Sequence, residues 1–254
     1  MPIIAIANQK GGSAKTTTAI HLGHALALEG KRVLLVDMDP QGHSAEGLGL
    51  AAGELAQEIS EVLERKRSLS EIIVTEVRPN LDLAPSNIKL SYTEATLFTK
   101  ARREDRLKNA LESMTGRYDY VIIDCPPSLG ILTVNALSAA SAVLIPMATE
   151  YYAMLGVGLL LQSIEEMRAE INPQLSILGL LPTRVTRTIN AREVLEQTHE
   201  QVGKIVHIFD FSIPETVKFR EAAGLGKTLF ELEPQSMGAQ GYVHLAQEVK
   251  TYGK

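Results

Sequence analysis

Two lysines, a glycine pair and a run of threonines stand together near the start of the chain, in ANQKGGSAKTTTA, residues 7–19. Backbone N–H groups of a glycine-rich turn, a lysine and a following hydroxyl are the parts that hold a nucleotide's phosphates and its magnesium ion. The usual order is G-x-x-x-x-G-K-[ST]. Here Gln9 replaces the first glycine and Ala14 the glycine before the lysine, and an additional lysine, Lys10, precedes the pair. Gly11 and Gly12 let the backbone approach phosphate oxygens closely. Lys15 is placed to reach the β- and γ-phosphates and the Thr16 hydroxyl to bind Mg²⁺. Ser13 either adds a hydroxyl or is simply a small loop residue, and Thr17 closes the set. The methyl of Ala14 strains the backbone if the position needs positive φ, and is tolerated if it does not.

Carboxylates are the second ingredient. RVLLVDMDPQG carries Asp37 and Asp39, and YDYVIIDCPPS carries Asp124, each after an apolar run. A carboxylate that ends a buried strand is unfavourable unless it meets a cation or several donors. Asp124 and Asp37 are therefore candidate Mg²⁺ ligands beside Thr16.

These residues need an edge on which to converge. Apolar runs without alternation, PIIAIAN, RVLLVDMD, LDLAPS, YDYVIIDCP, AVLIPMAT, LSILGLLPT and IVHIFDF, read as parallel strands covered on both faces. Helical periodicity falls at 15–29, 101–116, 128–141, 151–171, 191–202 and 236–251. The alternation predicts an α/β fold: a doubly wound, mostly parallel sheet with helices on both faces, in a single domain over 1–254. Ligands of such sheets sit beyond the carboxyl ends of the strands, where the glycine loop falls. Segment 43–100 is expected to hold short helices around one strand.

Composition narrows the classes. Apolar residues are 45 % and aromatic residues 5 %, with no Trp, so the core is aliphatic. The formal net charge of −5 gives no overall attraction to nucleic acid, and DNA contact would require a local basic patch. A single cysteine, Cys125, excludes disulfide scaffolds and cysteine-rich metal centres within the chain and points to a reducing cytoplasm. The N-terminus reads as a strand running into the loop, with no basic leader and no room for a preceding DNA-binding helix-turn-helix.

Together KGGSAKTT, LLVDMDPQG, YDYVIIDCPPSLG, NALSAASAVLIPMATEYYAMLGVGLLLQSIE and FREAAGLGKTLFE resemble the ParA/Soj family of deviant Walker-type ATPases, relatives of MinD, from residue 2 to about 250. The resemblance implies ATP and Mg²⁺ as cofactors and a homodimer that sandwiches two nucleotides. It implies that Lys10 reaches the partner's phosphates, as an arginine finger does in other systems. It also implies that Asp39 orients the attacking water, Asp124 holds Mg²⁺ through water, Thr16 ligates it directly, and Pro214 belongs to the nucleotide site. Lys10, Lys15 and Asp39 are thus the candidate catalytic residues.

The same resemblance implies non-specific DNA binding by the ATP dimer, a ParB-like partner and a nucleoid-associated location. Arg184, Arg187 and Arg192 in PTRVTRTINAREV, with Lys218 and Arg220 in ETVKFREAAGLGK, are the candidate DNA contacts, although glutamates interleave them. TKARREDRLKNAL reads as a solvated or packing face. The C-terminal GAQGYVHLAQEVKTYGK has too short an apolar face for a membrane anchor, so no membrane partner is expected. A positioner of protein cargo and a non-hydrolysing nucleotide adaptor are the alternative functions.

Overall fold

The computed structural model describes residues 1–51, 55–150 and 153–252. Seven strands form one sheet in the order β3-β4-β2-β5-β1-β6-β7. They are β1 (Ile3–Ile6), β2 (Val33–Asp37), β3 (Val74–Arg78), β4 (Leu81–Ala84), β5 (Tyr120–Asp124), β6 (Ala142–Ala148) and β7 (Ser176–Thr183). All neighbours run parallel except β3, which is antiparallel to β4.

The apolar runs lack alternation because both faces of the sheet are covered. Ala5, Leu34, Val36, Val121, Ile123, Val143 and Ile145 face one core. Their sequence neighbours Ile4, Val33, Leu35, Ile122 and Leu144 face the other. The first core is closed by α6 (Arg106–Glu112), α7 (Ile131–Ala139) and α8 (Ala153–Glu170), the second by α1 (Lys15–Leu28) and α12 (Met237–Thr251). The expected start of α8 at 151 lies outside the described residues.

The chain leaves the interior strand β1 toward β2 on one side, and leaves β5 across to β6 on the other. That reversal opens a crevice at the carboxyl edge. Ile6 and Asp124 are in register, as are Asp37 and Asp124, so the glycine loop and both strand-end carboxylates emerge side by side.

Several expectations are corrected. Segment 43–100 contains two strands, β3 and β4, not one, with α2 (His43–Gly47), α3 (Ile59–Leu63), α4 (Leu69–Ile72) and α5 (Lys89–Leu97) among the described residues. The edge strand β3, VTEVR, is half exposed and kinked at Glu76 (φ 53°), which hides it from an apolar-run search. IVHIFDF is not a ladder strand. It meets β7 only at a bridge between Leu180 and Ile208, because Pro182 lacks the N–H needed to extend the pairing. The helix expected over 101–116 begins only at Arg106, after a left-handed residue, Arg102 (φ 51°). Two further helices follow α9 (Ile189–Val202): α10 (Lys218–Gly224) and α11 (Leu229–Leu232). The capping box Thr228-x-x-Glu231 was a readable signal for α11.

Candidate nucleotide site

The loop from Ala7 to Ala14 joins β1 to α1. Gly12 has φ 74° and packs against the Arg184 guanidinium, which a Cβ there would meet at 3.3 Å. Ala14 precedes the first turn of α1 with φ 66° and ψ 31°, the left-handed region. The strained alternative for Ala14 is therefore the one the fold adopts, at roughly 1–2 kcal/mol for an L-residue. No side chain caps the start of α1, so its first N–H groups and the positive end of its dipole face the loop. Gly11 is exposed, whereas Ser13 is buried and its hydroxyl has no partner among the described residues.

Lys15 folds back over the loop, its Nζ donating to the Lys10 carbonyl at 3.1 Å. Burial lowers its pKa, and Asp124, Cys125 and Asp39 partly offset this. Lys10 lies at the mouth. Its backbone N–H donates to Asn8 Oδ1 at 3.0 Å and its ammonium pairs with Glu150.

Asp124 is 1 % exposed. One oxygen accepts from the Ser44 hydroxyl at 3.2 Å, and the other, Oδ1, is buried without a partner among the described residues. Burial and the neighbouring Asp37 carboxylate push its pKa up, while the Thr16 hydroxyl beside it acts in the opposite sense. Asp37 is raised to about 6, chiefly by burial, although it accepts N–H bonds from Asp39 (2.9 Å) and Ser44 (3.1 Å). Two adjacent buried carboxylates, one with an orphaned oxygen, form a site short of positive charge. Mg²⁺ fits that deficit, since it takes few protein oxygens and completes its shell with water and phosphate. Thr16 and Asp124 would hold it, and Asp37, already engaged by two N–H donors, fixes the turn that carries Ser44. Among the described residues no group of three His, Cys, Asp or Glu forms a self-sufficient metal cage. Ser44 is the residue that sequence reasoning missed; its only signal is its place just after the DMDPQG turn.

Asp39 is half-buried, with Oδ1 accepting from the Gln41 N–H at 3.0 Å and its carbonyl from Ser86. Its charge acts on both Lys15 and Asp124.

Beside the loop opens a cavity of about 310 Å³ whose walls include Gly12, Ala14, Thr17, Pro214, Phe219 and Tyr242. Pro214 thus joins the loop through tertiary structure alone. Its wide, partly aromatic walls suit a planar base.

The five candidate DNA contacts do not form one open patch. Arg184 donates to the Gly12 carbonyl at 3.0 Å and to Glu215 at 2.7 Å, and it approaches Glu150. It therefore supports the loop. Arg220 sits 3.7 Å from Glu215 on the wall of the 310 Å³ cavity. Lys218 pairs with Glu221 and Glu233, both at 3.0 Å. Arg187 and Arg192 are exposed and make no ion pair among the described residues. Arg187 and Lys218 line a neighbouring groove of about 610 Å³. No helix among the described residues is long and apolar enough to cross a membrane.

The chain as a whole is similar to known proteins. Residues 1–177 match the family described as AAA domain. The chain is 42 % identical over 252 residues to the sporulation initiation inhibitor protein Soj of Bacillus subtilis, covering 99 % of each. A structure from Mycobacterium smegmatis, described as cobyrinic acid a,c-diamide synthase with an ATP analogue and magnesium, superposes with a TM-score of 0.87 at 38 % identity, over 100 % of this chain and 97 % of that one. The septum site-determining protein MinD of Pyrococcus horikoshii, complexed with Mg-ADP, gives 0.78 at 25 % identity over 99 % and 97 %. With its deviant glycine loop, its strand-end carboxylates and full-length similarity to Soj, the chain belongs to the ParA/Soj family of ATPases.

Proposed function

We propose that this chain is an ATP-dependent dimerising switch that hydrolyses ATP and binds DNA without sequence preference, segregating chromosome or plasmid DNA with a ParB-like partner. The observation that carries the nucleotide reading is the partnerless buried oxygen of Asp124 beside Thr16 and Lys15, at the uncapped start of α1. Mg²⁺ would supply charge neutralisation of the phosphates there. Lys15, Gly12 and the α1 N–H groups hold and orient those phosphates, and Pro214 and Phe219 flank the base. Asp39 orients a water for in-line attack, and Lys10 stabilises charge on the phosphoryl group across a dimer. Phosphoryl transfer asks mainly for positioning and charge. A lysine supplied only on assembly makes turnover conditional on dimerisation, and by linkage ATP and dimerisation strengthen each other equally.

Similarity to Soj over its full length supports the partitioning role. The location that follows is cytoplasmic and nucleoid-associated. The test is hydrolysis of ATP with and without duplex DNA and a ParB-type protein. Stimulation by both is expected. Nucleotide binding without turnover under any of these conditions selects the non-hydrolysing adaptor, and turnover stimulated by DNA but not by the ParB-type protein selects a cargo positioner.

A further inference from the structure

His21 is a buried histidine that no step above uses. Its Nδ1 lies 2.8 Å from the Thr17 carbonyl and its Nε2 3.1 Å from the Leu229 N–H. The Leu229 N–H can only donate, so Nε2 accepts, and the ring proton sits on Nδ1 and points to Thr17. Both nitrogens of a neutral imidazole are thereby satisfied. Leu229 is the first residue of α11, and its N–H has no partner within that helix. His21 thus ties the first turn of α1 to the start of an element more than 200 residues away in sequence.

The ring also touches the walls of the base cavity. It stacks on Tyr242 with centroids 5.1 Å apart and 25° between planes, and meets the edge of Phe219 at 5.1 Å. Tyr242 in turn hydrogen-bonds Thr18 at 3.0 Å. Thr17 and Phe219 line both the 310 Å³ cavity and a second cavity of about 410 Å³ behind it, where His21 forms part of the wall.

The bond chain continues outward. His24, one turn on, bonds the Thr228 hydroxyl at 2.8 Å. Glu231 accepts from the Thr228 N–H at 2.8 Å and pairs with Arg78 at 3.0 Å. Arg78 donates to the carbonyls of Gly226 (2.6 Å) and Leu48 (3.2 Å). The network therefore joins three segments: the phosphate loop's helix, the turn after α10, and the end of α2, which carries Ser44.

We propose that His21 is a positioning residue that locks the first turn of α1 to the start of α11, so that the phosphate loop and the aromatic wall of the base cavity are set as one unit. It touches no nucleotide atom; it acts through Thr17, Phe219 and Tyr242. The proposal rests on the nucleotide reading above. A link of this kind makes nucleotide binding tighten the 226–232 turn, and loosening the turn weakens nucleotide binding by the same factor.

The test compares wild type, His21→Leu and His21→Gln. Affinity is measured for a fluorescent ATP analogue with Mg²⁺, and folding by circular dichroism. His21→Leu keeps volume but orphans the Leu229 N–H; it is expected to weaken binding about tenfold with fold retained. His21→Gln restores an acceptor and is expected to recover most of the affinity. In wild type, amide hydrogen exchange at Leu229 should slow at least tenfold more than in α9 when the analogue is added. Unchanged affinity in folded His21→Leu overturns the proposal. If that variant does not fold, Leu229 exchange in wild type that slows no more than exchange in α9 overturns it. A wild-type chain that binds no nucleotide overturns the underlying reading instead.

Discussion

At the scale of single residues, the site is a balance of charges that a nucleotide and its metal would complete. Lys15 is held over the loop at some desolvation penalty, and Asp124 is held beside it with one oxygen unsatisfied. Lys15→Ala removes a charge-assisted contact and is expected to weaken ATP binding by about 2 kcal/mol or more, roughly thirtyfold. Isothermal titration calorimetry decides it, and unchanged affinity would sink the loop assignment. Asp39→Ala leaves Lys15 and Thr16 in place. Binding is expected to persist while turnover falls by a factor of about 10² or more, as for loss of a water-orienting base. Wild-type hydrolysis rates in that variant would remove the role. Ala14→Gly relieves left-handed strain and is expected to raise stability by about 1 kcal/mol, read as a higher urea midpoint with unchanged slope. A lower midpoint would mean that the methyl contributes packing that outweighs the strain.

At the scale of elements, α1 is the hub. Its first turn faces the loop and its buried face carries His21 and His24 into the C-terminal segment. Burial lowers the pKa of His21 to about 4, against the Thr17 carbonyl and Glu231, which raise it, and with His24 adding to the fall; His24 is lowered too, chiefly by burial and with Arg78 adding to it. The folded state therefore favours neutral rings. Their stabilisation is fully present above about pH 6.5, the unfolded value, and is lost as pH falls from there toward the folded value. For His21 alone the loss reaches about 2 kcal/mol near pH 5. Thermal midpoints measured from pH 7 to 5 should fall more steeply in wild type than in His21→Gln; parallel slopes would contradict the assignment. On the reading proposed above, the DNA face would be α9 and the turn before it. Arg184, Lys218 and Arg220 are engaged by carboxylates, so Arg187 and Arg192 remain the best placed. Arg187→Glu is expected to weaken DNA binding uniformly across sequences and to lower the salt slope by about 1 or more. A normal slope would move the DNA face elsewhere.

At the scale of the whole molecule, the sheet gathers residues from opposite ends of the chain onto one edge. β1, β2 and β5 deliver Lys15, Asp37, Asp39 and Asp124, while the segment after β7 delivers Arg184 and Pro214. Lys10 stands at the mouth, paired with Glu150. On the dimer reading it must leave that partner to reach a second subunit. Lys10→Ala is expected to retain ATP binding while DNA-stimulated turnover falls by about 10³ or more, the scale of a finger supplied in trans. Light scattering with ATP and hydrolysis assays together check this, and full turnover in the variant would exclude a role across the dimer.

Much of this was legible along the chain. The loop, the three aspartates and the parallel strands were readable because buried strands must be apolar on both faces and an ionised carboxylate at their end is otherwise unfavourable. Family membership followed from the same motifs. Other features exist only in three dimensions. The sign of φ at Ala14 is set by how the loop closes between β1 and α1, which one residue's identity does not reveal. Ser44 and His21 acquire their places through contacts with residues far away in sequence, and Pro214, which the resemblance named, meets Ala14 and Thr17 only through the fold. Arg184 looked like a DNA contact and became a support of the loop, because the end of β7 lies beside Gly12 only once the sheet has formed. Local pattern determines which residues are buried and which can react; long-range pairing decides which of them meet.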